Sequence, residues 1–153
     1  MTLVGGFIVK SDQLKVEPAV VEAIKGELKK LQSSIPPEEL AIQFDVCQEV
    51  VGFDKGVNLP YDDILNGSVT RITDLCDKII DAADVGIHLF YGNPGHKHIV
   101  EPKSLGTSVA FANDITAATK RIINFVHITV PADRSDAAYF RRLENLNLPK
   151  KHA

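Results

Sequence analysis

The chain has 153 residues, 44% of them hydrophobic and 24% charged, with a formal net charge of -3. This is the composition of a globular chain long enough to bury one core. It lacks the basic balance of a nucleic-acid binder, and its apolar N-terminus is too short to span a membrane. The two cysteines, Cys47 and Cys76, and the absence of a basic leader before the N-terminal apolar run point to reduced thiols in a cytoplasmic protein.

In chain order, "LVGGFIV" (3–9) reads as a first strand. Residues 17–34 follow as a helix, with Val20, Val21, Ile24, Leu28 and Leu31 at helical spacing, Pro18 in the first turn and Pro36-Pro37 as the stop. "LAIQFDVCQEV" (40–50) is the second strand, and a long loop leads to Ser68. That serine is placed to cap a helix whose stripe is Val69, Ile72, Leu75, Cys76, Ile79, Ile80 and Ala83. "VGIHLFYG" (85–92) is the third strand and residues 108–122 the next helix. "INFVHITVPA" (123–132) is the fourth strand, and Asp133 or Ser135 caps a last short helix. Strand and helix thus alternate four times, the pattern of βαβ units around a mainly parallel sheet in a single domain. A full eight-stranded barrel needs about 250 residues, so the reading is either an open α/β sheet or part of a barrel.

Side chains alternate faces along a strand. Ile42, Phe44 and Val46 share one face, and Gln43, Asp45 and Cys47 the other. Ile87 and Leu89 oppose His88 and Phe90, while Val126, Ile128 and Val130 oppose His127 and Thr129. Three successive strands therefore carry one ionisable residue each on the non-aliphatic face: Asp45, His88 and His127. Ligands of parallel α/β folds bind near the carboxyl ends of strands, which makes these three the candidate catalytic residues. The structural alternative is a satisfied buried Asp–His pair.

The third strand runs into "GIHLFYGNPGHKH" (86–98), a Gly/Pro loop carrying His96, Lys97 and His98. Those three residues suit a carboxylate or phosphate, and Gln43, Cys47 and Tyr91 complete the expected substrate-binding set for an anionic small molecule. Neither a CxxC nor an HExxH pair is present, and His96 and His98 are poorly spaced for a closed zinc site, so no metal and no cofactor are expected. Cys47 is a candidate nucleophile, although an unpaired strand cysteine more often acts as a small apolar residue. No G-x-G-x-x-G or Walker-type loop supports nucleotide binding.

At "LAIQFDVCQEV", "GIHLFYGNPGHKH" and "FVHITVPADRSDAAYFRRLENL" the chain resembles the barrel superfamily of cobalamin-independent methionine synthase and uroporphyrinogen decarboxylase, and more narrowly its methionine-synthase-like members. The resemblance implies a fold of four βα units, a partial (β/α)8 barrel. It matches Asp45 to a substrate-contacting Asp and His88 to a zinc-binding His. Phe90, however, stands where a zinc cysteine would be, so the resemblance implies methyl or one-carbon transfer without the zinc-thiolate mechanism. The other branch of the superfamily implies a metal-free decarboxylase or lyase. A third expectation is a truncated, non-catalytic remnant, which would form a homodimer or join a missing barrel half to cover its open face and edges.

Overall fold

A computed structural model describes residues 4, 7–55, 59 and 61–148. Three strands, β1 (Ala41–Val46), β2 (Asp84–Leu89) and β3 (Phe125–Ile128), form a parallel sheet in the order β1-β2-β3. Phe44 is in register with Ile87, and Ile87 with Val126. Helix α1 (Lys10–Ser34) precedes the sheet. Helices α2 (Gln48–Phe53) and α3 (Ile64–Cys76) connect β1 to β2, α4 (Gly106–Ala118) connects β2 to β3, and the four-residue α5 (Ala137–Phe140) follows.

The core lies on one face of the sheet. Ile42 and Val46 of β1 and Val85, Ile87 and Leu89 of β2 are buried against Val50 and Val51 of α2, Ile72 and Cys76 of α3, and Phe111 and Ile115 of α4. Each fully buried aliphatic or aromatic side chain contributes about 1.5–3 kcal/mol, so this face is what holds the layers together. A small satellite core of Leu105, Val109 and Tyr139 seats α5 against the start of α4. Among the described residues no helix covers the other face of the sheet: Gln43, Asp45, Phe125 and His127 on it are exposed.

Polar contacts tie the connections to this frame. The Arg121 guanidinium donates to the carbonyls of Ile79, Ile80 and Ala83, gathering the turn that leads into β2. Asn124 exchanges hydrogen bonds with Val85 through its side chain and its backbone, which aligns β3 beside β2. Glu17 of α1 forms a two-pronged ion pair with Arg71 of α3, whose guanidinium also lies 4.3 Å from the centre of the Tyr61 ring.

The expected four βα units of a partial (β/α)8 barrel are not found. The described residues hold three strands in an open sheet, and three strands cannot close on themselves. The segment read as a first strand contributes none: Val4 and Phe7 are helical, and the Ile8 N–H donates to the Val4 carbonyl at 3.2 Å, the i to i+4 bond of a helical turn. Two central glycines weaken a strand, so the local bond prevails; residues 3, 5 and 6 lie outside the described residues.

Element boundaries also shift. Helix α1 begins at Lys10, which places Pro18 in its interior. The missing Pro18 N–H leaves the Leu14 carbonyl without its helical donor, and Leu14 is 60% exposed, so water can serve it. Helix α3 is capped by Asp63, which accepts from the Asn66 N–H at 3.0 Å, whereas Ser68 is buried and donates to the Ile64 carbonyl. The last helix is capped by Asp136 in place of Asp133 or Ser135.

Candidate functional site

The parallel register brings the three ionisable strand residues into one row. Asp45 is paired with His88, and His88 with His127. Adjacent strands lie about 4.8 Å apart, so the three side chains stand as neighbours on the uncovered face. The imidazoles of His88 and His127 stack with centroids 4.4 Å apart and an interplanar angle of 20°. On its other side, His88 stacks on Phe90, again at 4.4 Å and within 9° of parallel. Gln43, two residues before Asp45 on the same face, donates to Asp45 Oδ1 at 2.9 Å.

This stack orients His88. Its Nδ1 is shielded and has no hydrogen-bond partner, while Nε2 has no partner among the described residues. The ring held between Phe90 and His127 therefore leaves Nε2 as the nitrogen available to a ligand. The Phe125 ring lies across Gly86 on the same face, where even a Cβ would come within 2.0 Å of it. The face thus combines aromatic rings, two imidazoles, one carboxylate and one amide.

Other expected site residues lie elsewhere. Cys47 follows β1 with helical dihedral angles, which end the strand alternation and turn its side chain into the core. Burial, aided by the negative charges of Glu49 and Asp45, pushes its thiol up to about 11 despite a hydrogen bond from the Gly92 backbone. A thiol so raised is a poor nucleophile near neutral pH. Tyr91 is buried, and its hydroxyl donates to Asp54 Oδ2 at 2.8 Å.

The histidine loop is an excursion from the strand end. The Ile99 N–H donates to the Tyr91 carbonyl at 2.9 Å and closes it. Gly92 has φ 72°, and a Cβ there would lie 2.7 Å from the Ile99 side chain, so the turn requires glycine. His96 and Lys97 at the tip are exposed, and His96 adopts a left-handed φ of 62°. His98 turns back, pairing with Glu101 at 3.0 Å and meeting the Tyr91 ring edge-on. Among the described residues no hydrogen bond, ion pair or ring contact joins this loop to the Asp45–His88–His127 row.

A second cluster surrounds Asp54. Its Oδ1 accepts from the Thr107 hydroxyl at 2.9 Å while Oδ2 accepts from Tyr91, linking the end of α2, the end of β2 and the first turn of α4. A cavity of about 450 Å³ opens beside this link, lined by Phe53, Lys55, Lys103, Ser104 and Thr107 among others. None of these lining residues is among the site residues expected from the sequence. The signal was there: "GFDKG" follows the second strand, and "KSLGTS" is a helix-start composition placed before an apolar stripe.

Among the described residues no group of three or more His, Cys, Asp or Glu side chains is arranged to hold a metal ion. Among the described residues no helix is long and apolar enough to cross a membrane. No family model, no curated protein and no solved structure matches the chain.

Proposed function

We propose that the protein is a small-molecule enzyme that works by proton transfer on the uncovered face of its sheet. The observation that carries this reading is the row Asp45–His88–His127, three ionisable residues from three strands placed side by side by the register. Its resemblance to the methionine-synthase-like superfamily makes methyl or one-carbon transfer the reaction class. In such a step a nucleophilic S–H or O–H takes up the methyl group, and its proton passes to an imidazole and then to the departing group. His88 Nε2 is the proton acceptor, His127 the second imidazole, and Asp45, steadied by Gln43, holds a substrate ammonium. The lack of a cysteine at Phe90 favours a mechanism without a zinc-bound thiolate.

The test is ligand binding followed by thermal shift across a panel of small amino acids and carboxylates, on the wild type, Asp45→Asn and His88→Ala. A ligand that stabilises the wild type should stabilise each variant at least about fivefold more weakly, the loss of roughly 1 kcal/mol of contact. Equal stabilisation of all three proteins would sink the proposal.

The uncovered face supports a second reading, in which this face docks on another protein surface. Two sheet edges and an exposed Phe125 favour it. A homodimer is the simplest such assembly.

A further inference from the structure

His88 is the acceptor in the proposed proton transfer, and an acceptor works only if its ring is held. A histidine is usually oriented by a hydrogen bond to its second ring nitrogen. Among the described residues none holds His88: its Nδ1 is shielded without a partner, and Asp45, its neighbour in the row, accepts from Gln43 instead. We infer that Phe90 is the positioning residue of this site, holding the His88 imidazole by stacking in place of a hydrogen bond. The inference rests on the proton-transfer reading of the row.

The two rings against His88 differ in what anchors them. Phe90 stacks on it with centroids 4.4 Å apart and planes within 9° of parallel. Phe90 is partly buried and packs against the main core, and its backbone N–H donates to the Val46 carbonyl of β1 at 3.4 Å. His127 stacks at the same distance but at 20°, is exposed, and lies on the edge strand β3. The anchored ring therefore sets the plane, and the exposed one adapts to it. The space over Gly86, two residues before His88 on the same face, is filled by the Phe125 ring, which hinders the imidazole from swinging away from Phe90 along the strand.

The clamp matters because the last side-chain torsion of histidine is soft. A ring with no neighbours sweeps a wide range of angles about that bond. Proton transfer needs the acceptor nitrogen within about 2.6–3.2 Å of the donor atom, along a line close to the ring plane. One aromatic stack favours its own geometry by up to about tenfold, which is enough to hold that plane. With both ring faces covered, a ligand reaches His88 only at the edge, where the nitrogens are. Phe90 thus orients the acceptor without touching the proton.

The experiment measures ring motion in the full chain without any ligand, by carbon NMR relaxation of the histidine ring C–H groups. His96, exposed at the loop tip, is the internal reference for a free ring. In the wild type the His88 ring should have an order parameter near that of rigid backbone, about 0.85, and His96 one below about 0.6. Phe90→Leu keeps an apolar side chain in place and should bring His88 towards the His96 value. Phe90→Tyr keeps the ring and should restore wild-type rigidity. Asp45→Asn should leave the His88 ring as rigid as in the wild type, because the carboxylate does not hold it. Thermal unfolding of each variant separates lost packing from lost orientation: packing alone lowers Tm and leaves the ring rigid. A wild-type His88 ring as mobile as His96, a rigid ring in Phe90→Leu, a mobile one in Phe90→Tyr, or release of the ring by Asp45→Asn would each overturn the inference. The wild-type and Asp45→Asn arms decide it even if Phe90→Leu does not fold. No ligand enters these measurements, so their outcome is independent of the ligand panel that tests proton transfer.

Discussion

Replacing Tyr91 by Phe removes one hydroxyl from the Asp54 link and changes nothing else in volume. The hydroxyl donates to Asp54 Oδ2 at 2.8 Å, and Thr107 holds the other carboxylate oxygen at 2.9 Å. A hydrogen bond to a charged group contributes about 1.5–3 kcal/mol net. Asp54 is half-buried, so water can re-solvate the freed oxygen, and the expected loss is near the lower end, about 1–1.5 kcal/mol. For a chain of this size that lowers Tm by about 2–5 °C.

Thr107→Val should cost a similar amount. Once either donor is gone the carboxylate can turn to solvent, so the double variant should lose less than the sum, with a coupling of about 0.5–1 kcal/mol. Urea unfolding at constant m measures all four proteins of the cycle. An alkaline arm adds a sign test. Burial, then the hydrogen bond and charge of Asp54, raise the Tyr91 phenol above its ordinary value of 10.0. The folded protein therefore keeps a proton that the unfolded chain releases. The Tyr91 contribution is fully present below that ordinary value and is lost as pH rises above it towards the folded value. Tyr91→Phe should flatten this alkaline decline. A Tyr91→Phe protein as stable as the wild type, or strict additivity with Thr107→Val, would refute the view that Asp54 joins these elements.

Both thiols should resist modification in the folded state: burial raises Cys47 from 9.0 to about 11 and Cys76 to about 12. The thiolate fraction at pH 8 then falls roughly 100-fold for Cys47 and roughly 1000-fold for Cys76, and aromatic disulfide reagents should react that much more slowly than in urea; fast labelling of Cys47 would contradict its burial. Glu17→Ala breaks the two-pronged contact with Arg71 and should cost about 1–2 kcal/mol, because the pair is half shielded and joins α1 to α3; a loss below about 0.3 kcal/mol in urea unfolding would show that α1 is held by its apolar side alone. Phe111→Ala empties a fully buried site between α4 and the sheet and should cost about 3–5 kcal/mol, with a smaller loss indicating that the layers collapse to fill it. If the uncovered face docks on a second copy, light scattering at tens of micromolar protein should give the mass of a dimer, and a monodisperse monomer would rule that assembly out.

The strand cores and their two faces were legible because a period of two is short and robust. Ile42, Val46, Ile87 and Leu89 are buried, and Asp45 and His127 are exposed on the opposite side, as alternation requires. The alternation failed at Cys47, one residue past the end of β1, where helical dihedral angles reverse the direction of the side chain. Helix starts were less legible: Ser68 looks like a cap from its composition, but Asp63 caps the helix and Ser68 bonds within it. The number of strands could not be read from apolar runs alone. An apolar run becomes a strand only if a neighbour pairs with it, and the described part of "LVGGFIV" instead makes a helical turn. The Asp54 link was harder to see than its local signals, because Tyr91 and Thr107 lie 37 and 53 residues from Asp54 along the chain and only the folded connections bring them together.

The uncovered face sets two of its proposed uses against each other. Asp45 and His127 are exposed, and an ionised group is inexpensive to keep only while water reaches it. A second copy packed flat on this face would strip that water, and each buried charge would then need a counter-charge from the partner. A two-fold arrangement can supply one, by setting Asp45 of one copy against His127 of the other, since a symmetric contact pairs residue i with j and j with i. A small molecule on the same row removes the groups from that exchange. Binding and dimerisation are then linked with opposite signs: a ligand that occupies Asp45 and His88 weakens the dimer by the same factor by which the dimer weakens the ligand. A ligand that leaves the association constant unchanged must therefore sit outside the row.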